Sequence, residues 1–355
     1  MQTASCLDPI SSAKALRKRI RRDGRFLFAD LTGEYMPDVI SNTFRIFAPH
    51  KPEKNRIDNG IDSVQFDMYK QTVFDYPSII QAKLGGQWSK YNRLISAQVG
   101  LCNYHCWYCY VPEDILRGKR VQSLTAEQLV EDFLQTRAKD RTRGLESNVL
   151  RISGGEPFLA PDLVLQCLEY IERIGLQEEV FVWSETNLSP FLKEAGDQST
   201  LVETWLEEQG KTLEDLASFN NFALHPCLHG TTFLDFAQTT LVRAEFFDRL
   251  VSAFGTLVDC RVDIYPTLSS NTSPSEGLEH LFSKLKTISK KLPLRFALIE
   301  DDFNYPPVDE RLSRERRQGT IYGRKLLITK WSRLLEESYG CKYAEIPRKR
   351  VDLRM

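Results

Sequence analysis

The stretch L-C-N-Y-H-C-W-Y-C-Y, residues 101–110, is the feature around which the rest of the chain is arranged. It places three thiols, those of Cys102, Cys106 and Cys109, in the spacing C-x3-C-x2-C within one short loop. Three cysteines this close together suit a cubane iron–sulfur cluster and leave its fourth iron without a protein ligand. An iron with an open position can bind an external molecule. The stretch therefore predicts a reactive site rather than a structural cross-link.

Zinc and disulfide chemistry are the alternatives for these thiols. Zinc would take His105 as its fourth ligand, but His105 directly precedes Cys106, whereas structural zinc sites usually draw two well-separated ligand pairs. A disulfide is disfavoured because the set is odd and the remaining cysteines stand alone, at Cys6, Cys167, Cys227, Cys260 and Cys341. The zinc interpretation stays open as the less favoured alternative.

A second motif, Gly154-Gly155-Glu156-Pro157, follows the apolar run at residues 149–153. Two glycines let a backbone come close to a ligand, and a carboxylate beside them can accept hydrogen bonds from an ammonium group. With both motifs present in this order, the sequence resembles the radical SAM superfamily. Members of that family bind a 4Fe-4S cluster through a C-x3-C-x-aromatic-C loop, and S-adenosylmethionine binds to the open iron.

The resemblance implies roles for particular residues. Cys102, Cys106 and Cys109 would be the cluster ligands, and Tyr108 would supply the aromatic ring that stands against the adenine. Gly154, Gly155 and Glu156 would hold the amino group of the methionine moiety. An electron donor such as flavodoxin or ferredoxin is the implied partner.

The alternation of apolar runs and amphipathic segments predicts six β-α pairs in a row, and hence parallel strands with right-handed crossovers. The predicted strands are residues 93–99, 149–153, 180–183, 222–224, 257–264 and 294–299. A capping-box pattern at Thr125–Gln128 and Pro161 mark helix starts. The expected fold class is α/β, a partial (β/α)6 TIM-like barrel of the radical SAM type.

We expect three parts in the chain. Residues 1–90 form an N-terminal extension that is partly irregular and supplies strands beside the barrel, and residues 91–300 form the barrel. Residues 301–355 form a C-terminal helical segment, with a helix over Leu326–Leu335 and a basic tail at Arg348–Arg350. That segment contains no second cysteine cluster, so no auxiliary iron–sulfur domain is predicted.

Functional groups collect at the carboxyl ends of parallel strands, and several polar residues fall there. Ser184, Glu185 and Asn187 close the third predicted strand, where the family often contacts the ribose or the carboxylate of its cofactor. His225 closes the fourth strand and is a candidate contact to cofactor or substrate. Cys227 is either a reactive thiol at the barrel mouth or, more commonly, a small buried cysteine.

Charge and hydropathy restrict the partners. The net charge of -1 and the pI of about 6.6 argue against a protein that coats nucleic acid. The basic run Lys14–Arg22 suggests a solvated helix face, with contact to phosphate or RNA as the alternative. No apolar run approaches the ~20 residues of a membrane span, and residues 1–20 lack a signal-peptide core. Scattered cysteines fit a reducing compartment, so we expect a cytoplasmic protein.

The predicted reaction is reductive cleavage of S-adenosylmethionine to a 5′-deoxyadenosyl radical that abstracts hydrogen from a substrate. Within the superfamily, Glu185-Thr186-Asn187 resembles the Asp-Thr-Asn-Gly turn of glycyl-radical-enzyme activases, with Leu188 in place of the glycine. This favours a peptide or protein as the substrate, through activation or side-chain modification. A nucleotide, an RNA base or a small metabolite is the alternative substrate, and a non-catalytic iron–sulfur redox protein is the alternative class.

Overall fold

The computed structural model describes residues 7–32, 41, 44–47, 79, 83–85, 92–270, 277–298, 308, 314–343, 346 and 348–353. Within them lies one sheet of ten strands. The strands are β1 (Arg21–Arg22), β2 (Arg25–Ala29), β3 (Phe44–Phe47), β4 (Asn92–Val99), β5 (Val121–Leu124), β6 (Glu146–Gly154), β7 (Phe181–Thr186), β8 (Phe222–His229), β9 (Thr267–Ser269) and β10 (Ala297–Leu298).

Helices flank these strands and connect the parallel ones. They are α1 (Pro9–Ile20), α2 (Glu113–Leu116), α3 (Ala126–Arg141), α4 (Pro161–Arg173), α5 (Leu201–Glu207), α6 (Leu213–Ala217), α7 (Phe233–Thr240), α8 (Phe247–Asp259), α9 (Gly277–Ile288), α10 (Leu292–Arg295) and α11 (Arg314–Tyr339). Within the described residues, no helix combines the length and the apolar character needed to cross a bilayer.

The sheet order confirms the predicted fold class. Strands β4, β6, β7, β8, β9 and β10 pair in that order, and each of these pairings is parallel. The sheet does not close on itself, since β10 ends one side and the antiparallel β1 and β2 end the other. The result is a partial (β/α)6 barrel. The carboxyl ends of its strands share one edge.

Local signals place two of the connecting helices where the sequence predicts them. The Thr125 side chain accepts from the Gln128 backbone N–H at 3.1 Å, and the Gln128 side chain accepts from the Thr125 N–H at 3.0 Å. This reciprocal cap satisfies two otherwise unpaired amides and starts α3. Pro161 occupies the first position of α4, where its missing N–H removes no helical hydrogen bond.

The prediction for the fifth strand is wrong. Helix α8 continues through Leu257 to Asp259, because Leu250, Phe254 and Leu257 keep the three-to-four-residue spacing of one buried helical face. Within the predicted range 257–264, Ile264 forms a single bridge to Leu224, and the strand itself comes later, as β9.

The sixth strand is shorter than predicted. Residues 292–295 form the one-turn helix α10, with Pro293 in its first turn, so that β10 is left with two residues. Ile299, the last residue of the predicted range, lies outside the described residues.

The N-terminal extension contributes strands, as expected. Strand β3 pairs antiparallel with β4, from Phe44 opposite Ala97 to Phe47 opposite Leu94, and β2 joins the end of β4 through Phe28 and Val99. Strand β5 in turn pairs with β2. The strand that leads into the cysteine loop is therefore bonded on both sides.

The two basic segments are partly buried. Arg17, in α1, is 8% exposed, its Nη1 lies 2.7 Å from Asp162 Oδ1, and its guanidinium packs over Trp205. This part of the basic run is thus committed to an internal ion pair. In the C-terminal tail, Arg348 is buried and donates to the Phe296 carbonyl at 3.2 Å.

The predicted C-terminal helix is part of the longer α11. Its buried Trp331 meets the rings of Phe282 and Phe296 at 5.1 and 5.7 Å between centroids. Helix α11 therefore packs against α9 and the last strand of the barrel.

Alternation along the strands separates the two faces of the sheet. Ile95, Ile152, Val182 and Leu224 belong to the main core beneath the helices. On the inner face, a second apolar cluster fills the amino-terminal end of the barrel and consists of Ile79, Leu94, Val149, Phe181, Trp183, Ala223 and Tyr265. Polar residues follow on this face toward the carboxyl edge, so the barrel interior has an apolar floor and a polar upper part.

Candidate functional site

The cysteine loop leaves β4 at the carboxyl edge and is held by backbone contacts. His105 and Trp107 donate their backbone N–H groups to the carbonyls of Thr240 and Thr239, at 3.2 and 3.3 Å. Cys109 donates to the Cys106 carbonyl at 3.1 Å, which closes a tight turn. The loop is therefore positioned by β4 on one side and by the end of α7 on the other.

The three thiols of the loop are half-buried, and none of them forms a disulfide within the described residues. Cys102 and Cys106 pack against the main core. Burial raises the pKa of the Cys106 thiol, and the nearby Cys109 and Cys102 sulfurs raise it further. A bound cation reverses this effect, because a coordinating thiol is deprotonated by the charge of the metal. Three thiols gathered in one half-buried loop fit a cluster with several irons.

The zinc alternative loses its fourth ligand in the structure. The His105 side chain is 41% exposed, and its Nδ1 lies 4.0 Å from Glu113 Oε1 at the surface. Across the described residues, no three His, Cys, Asp or Glu side chains are grouped closely enough to hold a metal ion. A single zinc ion needs its ligands within about 2.0–2.3 Å, whereas a four-iron cluster distributes its thiolates over a larger body.

The Gly-Gly-Glu turn is bonded directly to the start of the cysteine loop. Gly155 donates to the Val99 carbonyl at 2.7 Å, and Glu156 donates to the Leu101 carbonyl at 2.9 Å. A Cβ atom on Gly155 would lie 1.9 Å from the Leu101 oxygen, a distance that no packing allows. Gly154 has a φ of +97°, which favours glycine. Close approach to the loop thus accounts for Gly155, and the left-handed backbone accounts for Gly154.

The Glu156 carboxylate is held by backbone amides on two sides. Glu156 is fully buried, its Oε1 accepts from the Phe158 N–H at 2.9 Å, and its Oε2 accepts from the Asn187 N–H at 2.6 Å. Burial raises the pKa of Glu156 to about 7, although these bonds act to lower it. Both oxygens therefore bind backbone amides, and the predicted contact between Glu156 and the methionine amino group stays a prediction.

Ser184 does not lie where the sequence analysis expects it. It is fully buried, and its neighbours in the sheet are Ile152 and Leu224, both in the core beneath the helices. Since successive residues of a strand point to opposite faces, Glu185 faces the barrel interior and Ser184 faces away from it. The expected contact between Ser184 and a cofactor is therefore not supported.

Glu185 belongs to a charged network inside the barrel. It accepts from Arg151 Nε at 2.9 Å and from Ser153 Oγ at 2.6 Å, and its Oε1 lies 3.7 Å from His225 Nδ1. Burial raises the pKa of Glu185, but the Arg151 charge, the neighbouring His225 and the hydrogen bonds outweigh it, so that the pKa lies below its usual value. Glu185 is therefore an ionised, paired carboxylate.

Strand β8 presents three residues to the interior, namely His225, Cys227 and His229. His225 Nδ1 lies 3.2 Å from Trp183 Nε1 at the apolar floor, and the Cys227 thiol lies 3.8 Å from the His225 carbonyl oxygen. Burial lowers the pKa of both histidines to about 4, so their rings are uncharged near neutral pH. Cys227 is thus a half-buried thiol of the inner face.

Tyr108 connects the cysteine loop to the far side of the barrel mouth. Its hydroxyl contacts His229 Nδ1 and lies 3.3 Å from Ser269 Oγ, at the ends of β8 and β9. Its ring packs edge-on against Trp107 at 5.5 Å, and both rings pack against the buried Val308. The predicted stacking of Tyr108 on an adenine stays a prediction.

Asn187 lies against the first cysteine of the loop. Its Nδ2 is 3.0 Å from Asn103 Oδ1 and 3.7 Å from Cys102 Sγ. The structure therefore brings Asn187 and Glu185 toward the site and leaves Ser184 on the other face.

Sequence reasoning missed Asn103, Arg151 and His229. A charged Arg151 within the apolar run 149–153 was an available signal, because an unpaired charge is rarely buried in a strand. His229 was detectable as the third residue in the alternating row that begins at His225. Asn103 carried no such signal.

The chain was compared with family models and with solved structures. Residues 99–202 match the family model described as the Radical SAM superfamily. SuiB from Streptococcus suis bound to precursor peptide SuiA is 16% identical, over 59% of this chain and 39% of that chain, with a TM-score of 0.39. TYW1 with a lysine-pyruvate adduct is 10% identical, over 84% and 85%, with a TM-score of 0.42.

A radical SAM methyltransferase from Sphaerobacter thermophilus is 14% identical, over 60% of this chain and 67% of that chain, with a TM-score of 0.36. This chain spans less than two fifths of the length of SuiB. None of the curated proteins matches the chain. Proteins of the matched superfamily bind a 4Fe-4S cluster and S-adenosylmethionine. Residues 99–202 contain both the cysteine loop and the Gly-Gly-Glu-Pro turn, and they are the part of the chain that matches the Radical SAM superfamily model.

Proposed function

We propose that this chain is a radical SAM enzyme in which Cys102, Cys106 and Cys109 hold a 4Fe-4S cluster, and that its substrate is a peptide or protein. The supporting observation is the set of three half-buried thiols beside a Gly-Gly-Glu backbone that is bonded to the same loop. When bound, the reduced cluster and S-adenosylmethionine supply a 5′-deoxyadenosyl radical. We assign this chemistry to residues 91–300, with 1–90 and 301–355 as flanking segments.

The residues around the loop would orient the cofactor. We assign the methionine amino group to the main-chain carbonyls of Gly154 and Gly155 together with Glu156, whose carboxylate is held in place by the Phe158 and Asn187 backbone amides. Glu185 at the end of β7 is an ionised acceptor for hydroxyl or ammonium groups, and Tyr108 is the candidate for the adenine.

The barrel interior would exclude water from the reaction. Its floor is closed by the stacked rings of Trp183 and Tyr265, 5.7 Å apart. At the mouth, Tyr108 reaches across to His229 and Ser269. A radical formed between floor and mouth is shielded from bulk solvent, which limits side reactions.

The charge of the interior favours a peptide over a nucleotide. The Arg151 guanidinium is paired with Glu185, and His225 and His229 are uncharged because burial lowers their pKa to about 4. These groups provide hydrogen bonds without net positive charge. Phosphate recognition relies on unpaired cations, whereas amide and hydroxyl groups of a peptide need only neutral partners.

The first test is anaerobic reconstitution with iron and sulfide, followed by reduction in the presence of S-adenosylmethionine. We expect about four irons per chain and formation of 5′-deoxyadenosine. Cys106→Ala should lose the cluster, whereas Cys341→Ala, at a half-buried cysteine far from the loop in sequence, should retain it. Zinc without sulfide in the native protein would overturn the cluster, and an intact cluster that leaves S-adenosylmethionine uncleaved would indicate a redox protein.

The second test addresses the substrate class. Peptides and nucleotides are extracted separately from cells grown in deuterated medium, and each extract is supplied to the reduced enzyme. Deuterium is then measured in the 5′-deoxyadenosine. We expect transfer from the peptide pool. Transfer from the nucleotide pool, together with salt-dependent retention of RNA by the protein, would contradict a peptide substrate.

A further inference from the structure

We propose that Asn187 is a positioning residue that donates a hydrogen bond to the Cys102 sulfur and thereby raises the reduction potential of the cluster. This inference rests on the cluster site proposed above. Asn187 Nδ2 lies 3.7 Å from Cys102 Sγ, although 85 residues separate the two in the chain. Sulfur is a large, weak acceptor, so its hydrogen bonds are longer than those to oxygen.

The orientation of the Asn187 amide follows from its other contacts. Its Oδ1 accepts from the Ser189 backbone N–H at 3.0 Å and from the Ser189 hydroxyl at 2.6 Å. With the oxygen engaged there, the Nδ2 group must face the loop. Of its two hydrogens, one serves Asn103 Oδ1 at 3.0 Å and the other points to the Cys102 sulfur.

Three side chains form a closed ring of hydrogen bonds around this amide. Asn187 donates to Asn103, Asn103 Nδ2 donates to Ser189 Oγ at 2.7 Å, and Ser189 donates back to Asn187. All three are at least nine-tenths buried. In a buried, fully satisfied network each bond polarises the next, so the amide is held in one orientation.

The backbone on both sides of the amide is also held. The Asn187 N–H donates to Glu156 Oε2, and Leu188, in the left-handed region at a φ of +68°, donates its N–H to Thr186 Oγ1 at 3.1 Å. The Gly-Gly-Glu turn thus positions Asn187 and, through it, the first cysteine. The buried Glu156 carboxylate therefore contributes to the position of Asn187.

Hydrogen bonds to a ligating sulfur stabilise the more negative, reduced form of a cluster and so raise its potential. Cys102 Sγ receives a second such bond from the Tyr104 backbone N–H at 3.4 Å, and no side-chain substitution removes that one. The side-chain contribution of Asn187 can therefore be changed separately. Because the bond is stronger to the more negative, reduced cluster, its loss should change the reduction equilibrium about tenfold.

The experiment is a redox titration of the reconstituted cluster, followed by electron paramagnetic resonance without S-adenosylmethionine. Asn187→Ala should lower the midpoint potential by about 59 mV or more, which corresponds to a tenfold change for one electron. The matched control is Ser184→Ala, at a buried residue of β7 that faces away from the loop, and it should leave the potential unchanged. An unchanged potential in Asn187→Ala at normal iron and sulfide content would overturn the inference.

Two further measurements keep the inference testable if Asn187→Ala does not fold. Ser189→Ala retains the Asn187 amide but removes one anchor of its oxygen, and it should shift the potential in the same direction by a smaller amount. Incorporation of 15N-asparagine should give a weak nitrogen coupling to the reduced cluster. An unchanged potential in Ser189→Ala and no such coupling would sink the proposal. Absence of any cluster in the unmutated protein would instead defeat the proposed function.

Discussion

Replacing Gly155 with alanine should disrupt the contact between the Gly-Gly-Glu turn and the cysteine loop. The added Cβ would lie 1.9 Å from the Leu101 carbonyl oxygen and 2.7 Å from its carbonyl carbon. Both are backbone atoms, so no side-chain rotation relieves the clash. The turn and the loop must move apart, and the bonds from Gly155 to Val99 and from Glu156 to Leu101 lengthen or break.

The cost follows from these contacts. Loss of two backbone hydrogen bonds costs about 1 kcal/mol each. Insertion of a carbon into a packed site adds about 1–3 kcal/mol. The free energy of unfolding should therefore fall by about 3–5 kcal/mol, which is a large part of the 5–15 kcal/mol typical of a folded protein. Because the loop shifts with the turn, the thiols should also lose their arrangement.

The assay has two readouts, the urea unfolding midpoint of the metal-free protein and the iron content after anaerobic reconstitution. Gly255→Ala is the matched control, because Gly255 lies within α8 and has nothing within 4 Å of an added Cβ. That control should be neutral or stabilising by up to about 1 kcal/mol, since alanine is the better helix former. Reduced stability and reduced iron content in Gly155→Ala alone would support the assigned contact.

The reasoning is refuted if Gly155→Ala unfolds within about 1 kcal/mol of the unmutated protein and takes up the same amount of iron. Such a result would mean that the turn relaxes freely. The close contact between the turn and the Leu101 carbonyl would then not require glycine at position 155.

Three further predictions concern the barrel interior. Burial lowers the pKa of His225 to about 4, below the usual 6.5, so the stability that its neutral ring contributes should be present above pH 6.5 and lost as the pH falls toward 4. Urea unfolding at several pH values should show a smaller loss in His225→Gln, and an equal loss in both proteins would contradict the prediction. Arg151→Met leaves Glu185 buried without its cationic partner and should lower the free energy of unfolding by about 3–5 kcal/mol. Adding Glu185→Leu should recover part of that loss, and additive losses in chemical unfolding would argue against the ion pair. Tyr108→Phe removes the hydroxyl contacts to His229 and Ser269 and should lower the free energy of unfolding by about 1 kcal/mol. Backbone amides of the cysteine loop should then exchange faster with solvent, and unchanged exchange would contradict the prediction.

Features that depend on neighbouring residues were predictable from the sequence. The capping box at Thr125 and the proline at the start of α4 satisfy or avoid backbone amides within one turn, so their signals are local. The boundary of α8 was not predictable in the same way. Its last apolar residues fit both a helical face and a strand, and only packing against the rest of the barrel selects the helix.

The sequence alone determined that three thiols share one loop, because their spacing within eight residues keeps them together whatever surrounds it. Only the tertiary structure decided which polar residues reach that loop. Strand pairing turned Glu185 inward and Ser184 outward, and it placed Asn187 beside Cys102 while binding Glu156 to backbone amides. The physical reason is that these contacts join residues 31 to 85 positions apart, so they form only when the parallel strands bring their carboxyl ends together.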